Sequence, residues 1–371
     1  MSLALPTALQ PEIINERISR LKVQNTIFQK AFGLGLGGAN VRQTPSRRGT
    51  YDVFNETRDL PPAVTPGAVA ATMERQPVGF VNFQIPRSAT NTPILMEEVN
   101  QLRPIGGPAG EIDQLGEKYI LDQEAVIRQR NVNLREFQIA SMLRGSYTFT
   151  QAAPDRMIHD FSGGTITVDF QVPSGNKSQL DMLGAGDIIG TSWANPAAPI
   201  VRDILAIDQA FQQLTGRPLT DIWVNSTGWG HVIVNTEVQN TAGTVNNPVE
   251  SITRDNSDDN LSFTAILKAV PWVTWHITNH ALNIGTANTT TRLISDTMAV
   301  FTARMDSSVV QYWECPEPVV DPITGAMSNQ FGEYYYAKAI DNPVSYELHS
   351  RFNGLPVLKI PAAVAPATIV F

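Results

Sequence analysis

The sequence predicts an α+β chain laid out as an arm, a projecting loop, one long helix and then a large mixed domain. Three observations lead there. Of 371 residues, 42% are hydrophobic and only 17% charged, with 25 prolines and 26 glycines, a composition that favours strands, turns and broad contact surfaces. Helical spacing of apolar residues marks residues 11–32, 120–144 and the start of 195–235, whereas two-residue alternation dominates the later segments. The segments between the first two helices carry too little apolar mass to form a core of their own.

The elements follow in order. Residues 11–32 place Ile14, Ile18, Leu21 and Phe28 at helical spacing, with Pro11 suited to a first turn and Gly33 to a stop, so one amphipathic helix is expected. Residues 33–66 have no sustained period and carry prolines at 45, 61, 62 and 66, which reads as an extended arm. Alternation of Val81, Phe83 and Ile85 predicts a strand, and the Gly/Pro-rich segment that follows, up to about residue 118, predicts a long hairpin or loop that lies on something else.

From about Ile120 to Arg144, with Gly145 as the stop, a long helix is expected. Ile120, Ile127, Leu134 and Met142 gather on one flank with Val126 and Phe137 beside them, and Leu121, Ala125, Val132, Ile139 and Leu143 gather on a second. Arginines 128, 130, 135 and 144 sit between or beside the two, so this helix should be gripped from two sides. Beyond it, Ile166, Val168 and Phe170 predict a strand. Residues 195–235 predict helix, Gly turn and strand, with Ile200, Ile204, Ile207 and Phe211 as the helical stripe and Ile222–Val224 opening the strand. Residues 261–313 alternate strongly, and the C-terminal stretch predicts two short strands interrupted by prolines 356, 361 and 366.

The net charge of -8 argues against a dedicated nucleic-acid binder. The sign is uneven: residues 11–50 hold seven Lys/Arg against Glu12 and Glu16, and residues 125–145 hold four arginines against Glu136, which leaves about -16 for the remainder. The basic arm suits an acidic partner protein at least as well as nucleic acid. Cys315 is the single cysteine, which excludes an intrachain disulfide and a thiolate zinc site. The N-terminus lacks a basic n-region, and no run approaches the roughly 18 apolar residues of a membrane span, so neither a secretory signal nor a membrane partner is expected.

Candidate chemical sites each give way to a simpler reading. The GLGLGG run at 33–38 is followed by neither Lys-Ser/Thr nor a strand-to-helix context, so it reads as a flexible hinge. His276 and His280 lack the glutamate of a zinc-protease motif and fall in a strand-like stretch. Asp255, Asp258 and Asp259 lack the glycine and terminal glutamate of a calcium loop and read as a solvated acidic loop. Ser226 with His231 does not form a nucleophile elbow, and no positive group is visible in sequence beside Cys315. No catalytic, cofactor or metal constellation is expected.

The stretches RPIGGPAGEID, YILDQEAVIRQRNVNLREFQIASMLRGSYTF, VDFQVP, APIVRDILAIDQAFQQLTGRPLTDIWVNSTGWGHVIVN, YYYAKAIDNPVSYELHSRFNGLPVL and ATIVF resemble, in order and spacing, the lambda-like major capsid proteins of tailed bacteriophages. The likeness runs from about residue 75 to the terminus. It implies the HK97-like capsid fold, with an N-terminal arm at 1–70 and an extended β-hairpin loop at 71–118. A peripheral domain at 119–185 would carry the spine helix 120–145, with later strands returning to it, and 186–371 would be mainly a mixed α/β axial domain. It implies self-assembly into an icosahedral head shell in the virion, built of hexamers and pentamers in the host cytoplasm. Scaffold, portal and decoration proteins would be partners, and the shell would enclose double-stranded DNA without sequence specificity.

Some members of the fold weld subunits through an isopeptide bond from a lysine in the extended loop. Here no lysine lies between Arg75 and Glu117, and Lys118 stands at the loop's base, so no welding by that route is expected. Subunit contacts are expected at Arg128, Arg130, Arg135, Arg103, Phe83, Ile18 and Leu21. The three helix arginines should meet carboxylates, some across subunit boundaries, with Leu134 and Phe137 buried. Apart from the resemblance, an arm and loop without cores are ordered most economically by neighbouring chains, and repeated heterologous contacts close into rings and shells. An encapsulin-type compartment protein and a soluble β-rich metal-dependent hydrolase are the alternatives.

Overall fold

The computed structural model describes residues 9–24, 26–54, 79–95, 97, 114–150, 165–241, 248–254, 262–283, 290–320, 327–341 and 344–371. Where one arm helix was expected over 11–32, two form, α1 (Pro11–Arg20) and α2 (Ile27–Phe32). Pro11 starts α1, where a missing N–H costs nothing. Leu21 is already extended (φ -63°, ψ 136°), and Gly33 ends α2 in the left-handed region at φ 63°. The arm continues as β1 (Val41–Gln43), parallel to β14 (Val310–Glu314), and β2 (Arg48–Val53), antiparallel to β3 (Gly79–Gln84). Val81, Phe83 and Ile85 are buried, as their alternation predicts. The strands either side of Pro86 do not pair with one another: β4 (Arg87–Leu95) leaves β3 to run antiparallel to β17 (Val344–Leu358).

The long helix, α3 (Gln114–Leu143), begins six residues before the expected start and spans about 45 Å at 1.5 Å per residue. It ends where expected, with Gly145 at φ 93°, followed by the hairpin of β5 (Ser146–Thr150) and β6 (Thr165–Asp169). Beneath the helix lies a sheet ordered β1-β14-β17-β16-β15, with β4 also on β17, where β15 is Pro316–Val320 and β16 is Met327–Asp341. Strands β16 and β17 form a long hairpin that the sequence does not announce, and β17 runs on past it through Pro356 to pair with β14, where the sequence marks a strand break. In the structure Pro356 pairs with Tyr312, whose N–H turns the other way to the carbonyl of Asn40 at 2.9 Å. At such a non-hydrogen-bonded position the missing proline N–H is not called upon.

The second half of the chain builds a sheet ordered β18-β13-β7-β10-β9-β8. Its strands are β7 (Leu219–Val224), β8 (Val249–Thr253), β9 (Ser262–Leu267), β10 (Val270–Thr278), β13 (Met298–Ala303) and β18 (Val364–Thr368). A small pair, β11 (Ala281–Asn283) and β12 (Thr290–Arg292), sits apart. Helix α4 (Ile200–Thr215) buries the predicted stripe Ile200, Ile204, Ile207 and Phe211 and ends at Gly216. The strand expected from Ile222 stops at Val224. Asn225 there accepts the Gly228 N–H at 2.8 Å and starts helix α5 (Ser226–Val234), which α6 (Thr236–Thr241) follows. Among the described residues no helix is long and apolar enough to cross a membrane.

Two glycines mark where backbones approach closely, at the crossing where the chain leaves β14 beside β17 and enters β15 beside β16. A Cβ at Gly354 would meet the Tyr312 ring at 2.3 Å, and one at Gly332, held at φ 71°, would meet the Glu314 carboxylate at 2.5 Å. Gly354→Ala and Gly332→Ala should each lower stability by roughly 1–3 kcal/mol in denaturant unfolding of unassembled protein. Gly230→Ala, whose Cβ would enter open space within α5, should leave stability unchanged or raise it by up to about 1 kcal/mol.

Candidate functional site on the long helix

Glu124, Arg128, Asn131, Arg135 and Gln138 recur along α3 at alternating steps of four and three, the spacing that holds side chains on one face. All five are buried. Each reaches a different part of the chain. Glu124 accepts from Arg17 of α1 at 2.6 Å, and Asn131 donates to the Tyr335 hydroxyl at 2.9 Å and to Ser350 at 2.8 Å. Arg135, 1% exposed, stands 3.2 Å from both Glu314 and Glu333, with the rings of Tyr312 and Phe352 at 4.9 and 5.2 Å. Gln138 donates to the Gly354 carbonyl at 3.1 Å and accepts the Tyr312 hydroxyl at 2.6 Å.

Two polar side chains of α3 explain why the arm helix is split. Arg128 donates to the carbonyl of Ile18, which also accepts the Leu21 N–H, and at 2.6 Å to the carbonyl of Leu21, both at the end of α1 where helical partners run out. Glu136 accepts the N–H groups of Phe28 at 3.1 Å and Gln29 at 3.0 Å, the unpaired donors of the first turn of α2. A cation at a helix C-terminus and a carboxyl at an N-terminus both match the helix dipole. Arg128 and Glu136 lie eight residues apart, about 12 Å along the helix, and the non-helical segment of the arm bridges that distance. Helix α2 then sets Phe28 and Phe32 against Trp223 of β7, at 4.8 and 5.4 Å, so the arm also ties α3 to the second sheet.

A second clasp lies at Glu317 of β15, which takes Arg47 of the arm at 2.8 Å, Arg87 of β4, and the Asn353 amide at 3.0 Å. Burial raises the Glu124 carboxyl against the pull of Arg17, and likewise raises Glu314 against Arg135. Burial pushes Glu136 up to about 8, although the amides of Gln29 and Phe28 favour its ionised form.

The residues expected at subunit boundaries are placed as follows. Arg135 meets two carboxylates of its own chain. Arg128 meets carbonyls in place of the carboxylate expected, because a helix end needed its donors. Arg130 is exposed on the outer face of α3. Ile18 is buried and Leu21 half-buried in an intrachain cluster with Ile94, Ile120, Ile127 and Leu348, so the arm's apolar stripe is already covered. Phe83 packs against Tyr51 and Trp313 within the chain. Leu134 and Phe137 are half-buried, with Phe137 against Tyr147 and under Arg144, and Val126 is 47% exposed. Arg103, Asp255, Asp258 and Asp259 lie outside the described residues.

The bland readings of the other motifs fit their surroundings. His276 lies 2.8 Å from Asp221 and stacks on Trp223, while burial pulls His280, just past β10, down to about 4. Ser226 donates to Asn279 at 2.8 Å. Cys315 does have a positive neighbour, Arg47, which the sequence did not show, but burial still raises its thiol. Among the described residues no cluster could hold a metal. Sequence reasoning missed Glu124, Asn131 and Gln138. Their signal is a polar repeat at core spacing, which composition alone assigns to a solvent-facing stripe.

Arg135→Met should cost roughly 3–5 kcal/mol in unfolding experiments, because it strands two buried carboxylates. A carboxyl that is harder to ionise folded than unfolded binds more protons in the native state, so its contribution is full below the ordinary glutamate range and lost as pH rises towards about 8. Stability of the wild type should therefore fall more steeply between about pH 4.5 and 8 than that of Glu136→Gln, measured by urea unfolding across that range.

The phage major capsid protein E family matches residues 18–369. Among solved structures, the chain is similar to a protein assigned as the capsid protein of an Escherichia coli CFT073 prophage, at 14% identity and a TM-score of 0.59, with 98% of this chain and 99% of that one covered. It is also similar to a phage-related protein of Bordetella bronchiseptica RB50, at 10% identity and a TM-score of 0.52, with 97% of each covered. No curated protein sequence matches it. The fold is the HK97-like capsid fold. With the match running from the arm to the C-terminal strand, the chain belongs to the phage major capsid protein E family, structural proteins of the virion that assemble into the icosahedral head shell and are not enzymes.

Proposed function

We propose that the polar face of α3 makes the helix a strut of each subunit in the head shell, with residues 1–70 as arm, 71–118 as extended loop, 119–185 as peripheral domain and 186–371 as mainly axial domain, arranged in hexamers and pentamers. The observation that carries this reading is that one buried row of side chains fastens arm and hairpin to the same helix. Of the residues expected at subunit boundaries, Arg130 and Arg103 make direct contacts. Arg128, Arg135, Phe83, Ile18 and Leu21 act by holding the contact surfaces in place.

Double-stranded DNA without sequence specificity, a portal, a scaffold protein and a decoration protein are the partners this reading assigns, with assembly in the host cytoplasm. Because the stripe of α1 is covered, an acidic scaffold would engage the arm through its charges. Family membership favours the phage head over an encapsulin-type compartment, and the hydrolase alternative falls with the family's structural role.

Purified protein should form megadalton particles by light scattering, where an enzyme of 40.6 kDa would not. With no lysine in the loop and Lys118 on the exposed surface of α3, boiling those particles in detergent should release a single band near the chain mass. A covalent ladder on the gel would refute the absence of welding.

A further inference from the structure

Between β6 and α4 the chain bends through residues 171–180, and three of these, Gln171, Ser178 and Leu180, stand at φ 56°, 60° and 64°. Left-handed backbone crowds any residue that carries a Cβ. Every other described residue at positive φ is a glycine, seven in all, so this chain supplies glycine where a turn alone asks for one. At the bend it supplies glutamine, serine and leucine instead, with Pro173 fixing a further φ among them. Hydrogen bonds from both halves of the subunit hold this form. On the side of the long helix, Phe170 donates its N–H to the Gly145 carbonyl at 3.0 Å, and the Gln171 side chain donates to the Phe80 carbonyl of β3 at 3.0 Å. On the side of the second sheet, Asn176 donates to the carbonyls of Ala362 and Val364 at 3.1 and 3.0 Å, and the Thr368 N–H of β18 donates to the Ser178 carbonyl at 2.7 Å. Leu180 is fully buried, so its side chain is pinned as well. The Ser178 side chain is exposed and makes no hydrogen bond among the described residues, so no contact of its own accounts for its backbone.

We propose that residues 171–180 are a locked elbow that fixes the angle between the long-helix half of the subunit and the second sheet, and through that angle the curvature of the shell. Glycines would make the same bend but leave neighbouring angles almost equal in energy. A residue with a Cβ wedged at positive φ has a narrow well and only a distant alternative. Such strain persists where the surroundings over-determine it, and it gathers where geometry has a task. In a closed shell any change in this angle is repeated in every copy, so it alters where the shell closes. The inference rests on the shell assignment and adds the element that sets its curvature.

Substitutions at the exposed Ser178 test the elbow in the full chain. In urea unfolding of unassembled protein, Ser178→Val should raise the unfolding equilibrium constant at least about tenfold, because a β-branched residue resists positive φ; at a relaxed exposed site the change is only about two-fold. Ser178→Gly should keep that constant within about fivefold of wild type. Its assembled particles, measured in negative-stain micrographs, should nevertheless spread over a wider range of diameters or fail to close. Ser178→Asn, which tolerates positive φ without the freedom of glycine, should keep the wild-type diameters. A valine variant as stable as wild type would show that the elbow holds no strain, and glycine particles as uniform as wild type would show that it does not set the angle. Either result overturns the proposal. Wild-type protein that forms no particles would count against the shell assignment instead, and the valine variant would still test the elbow.

Discussion

A row of buried polar side chains on α3 is the constraint on which the arm and the sheet beneath the helix depend. An apolar helix face could slide or rotate over a sheet at little cost, since dispersion and burial are nearly non-directional. Five polar groups at core spacing cannot, because each loses its partner if the helix shifts by even one residue, and an orphaned buried group costs about 1–3 kcal/mol. Such networks weaken a core relative to well-packed hydrocarbon and in exchange specify one register. For a helix that fastens arm and hairpin at once, register matters more than maximal stability.

The same logic extends outward from the row. Arg128 and Glu136 complete the ends of α1 and α2, so the short arm helices are stable only against α3. A six-residue helix such as α2 would not persist alone in water. Docked, it carries Phe28 and Phe32 to Trp223, which itself stacks on His276. The arm is therefore a structural tie between the two sheets, and Glu317 performs the comparable task for the arm and β4 through Arg47 and Arg87.

This arrangement changes what the arm can offer to other chains. Its apolar stripe, the feature that first suggests a partner, is consumed inside the subunit by Ile94, Ile120 and Leu348. What remains exposed is charge and isolated apolar groups such as Leu36. These favour contacts that are specific in geometry and sensitive to salt over contacts driven by area.

Periodicity alone determined the long helix, its Gly145 stop, the stripe of α4, and the strands around Val81 and Val168, because these depend on local spacing and on one face meeting a core. Order and spacing of motifs were also enough to indicate the capsid family. The split of the arm helix, the continuation of β17 through Pro356 onto β14, the separate partners of β3 and β4, and the carbonyl partners of Arg128 were decided only in three dimensions. In each case the outcome turns on which distant group supplies or withholds a hydrogen bond: Arg128 and Glu136 at the helix ends, the outward N–H of Tyr312 opposite Pro356, and Glu314 and Glu333 around Arg135. Those partners lie some hundred residues or more from Arg128, Glu136 and Arg135 along the chain, so no local window could weigh them against the propensity of the segment they overrule.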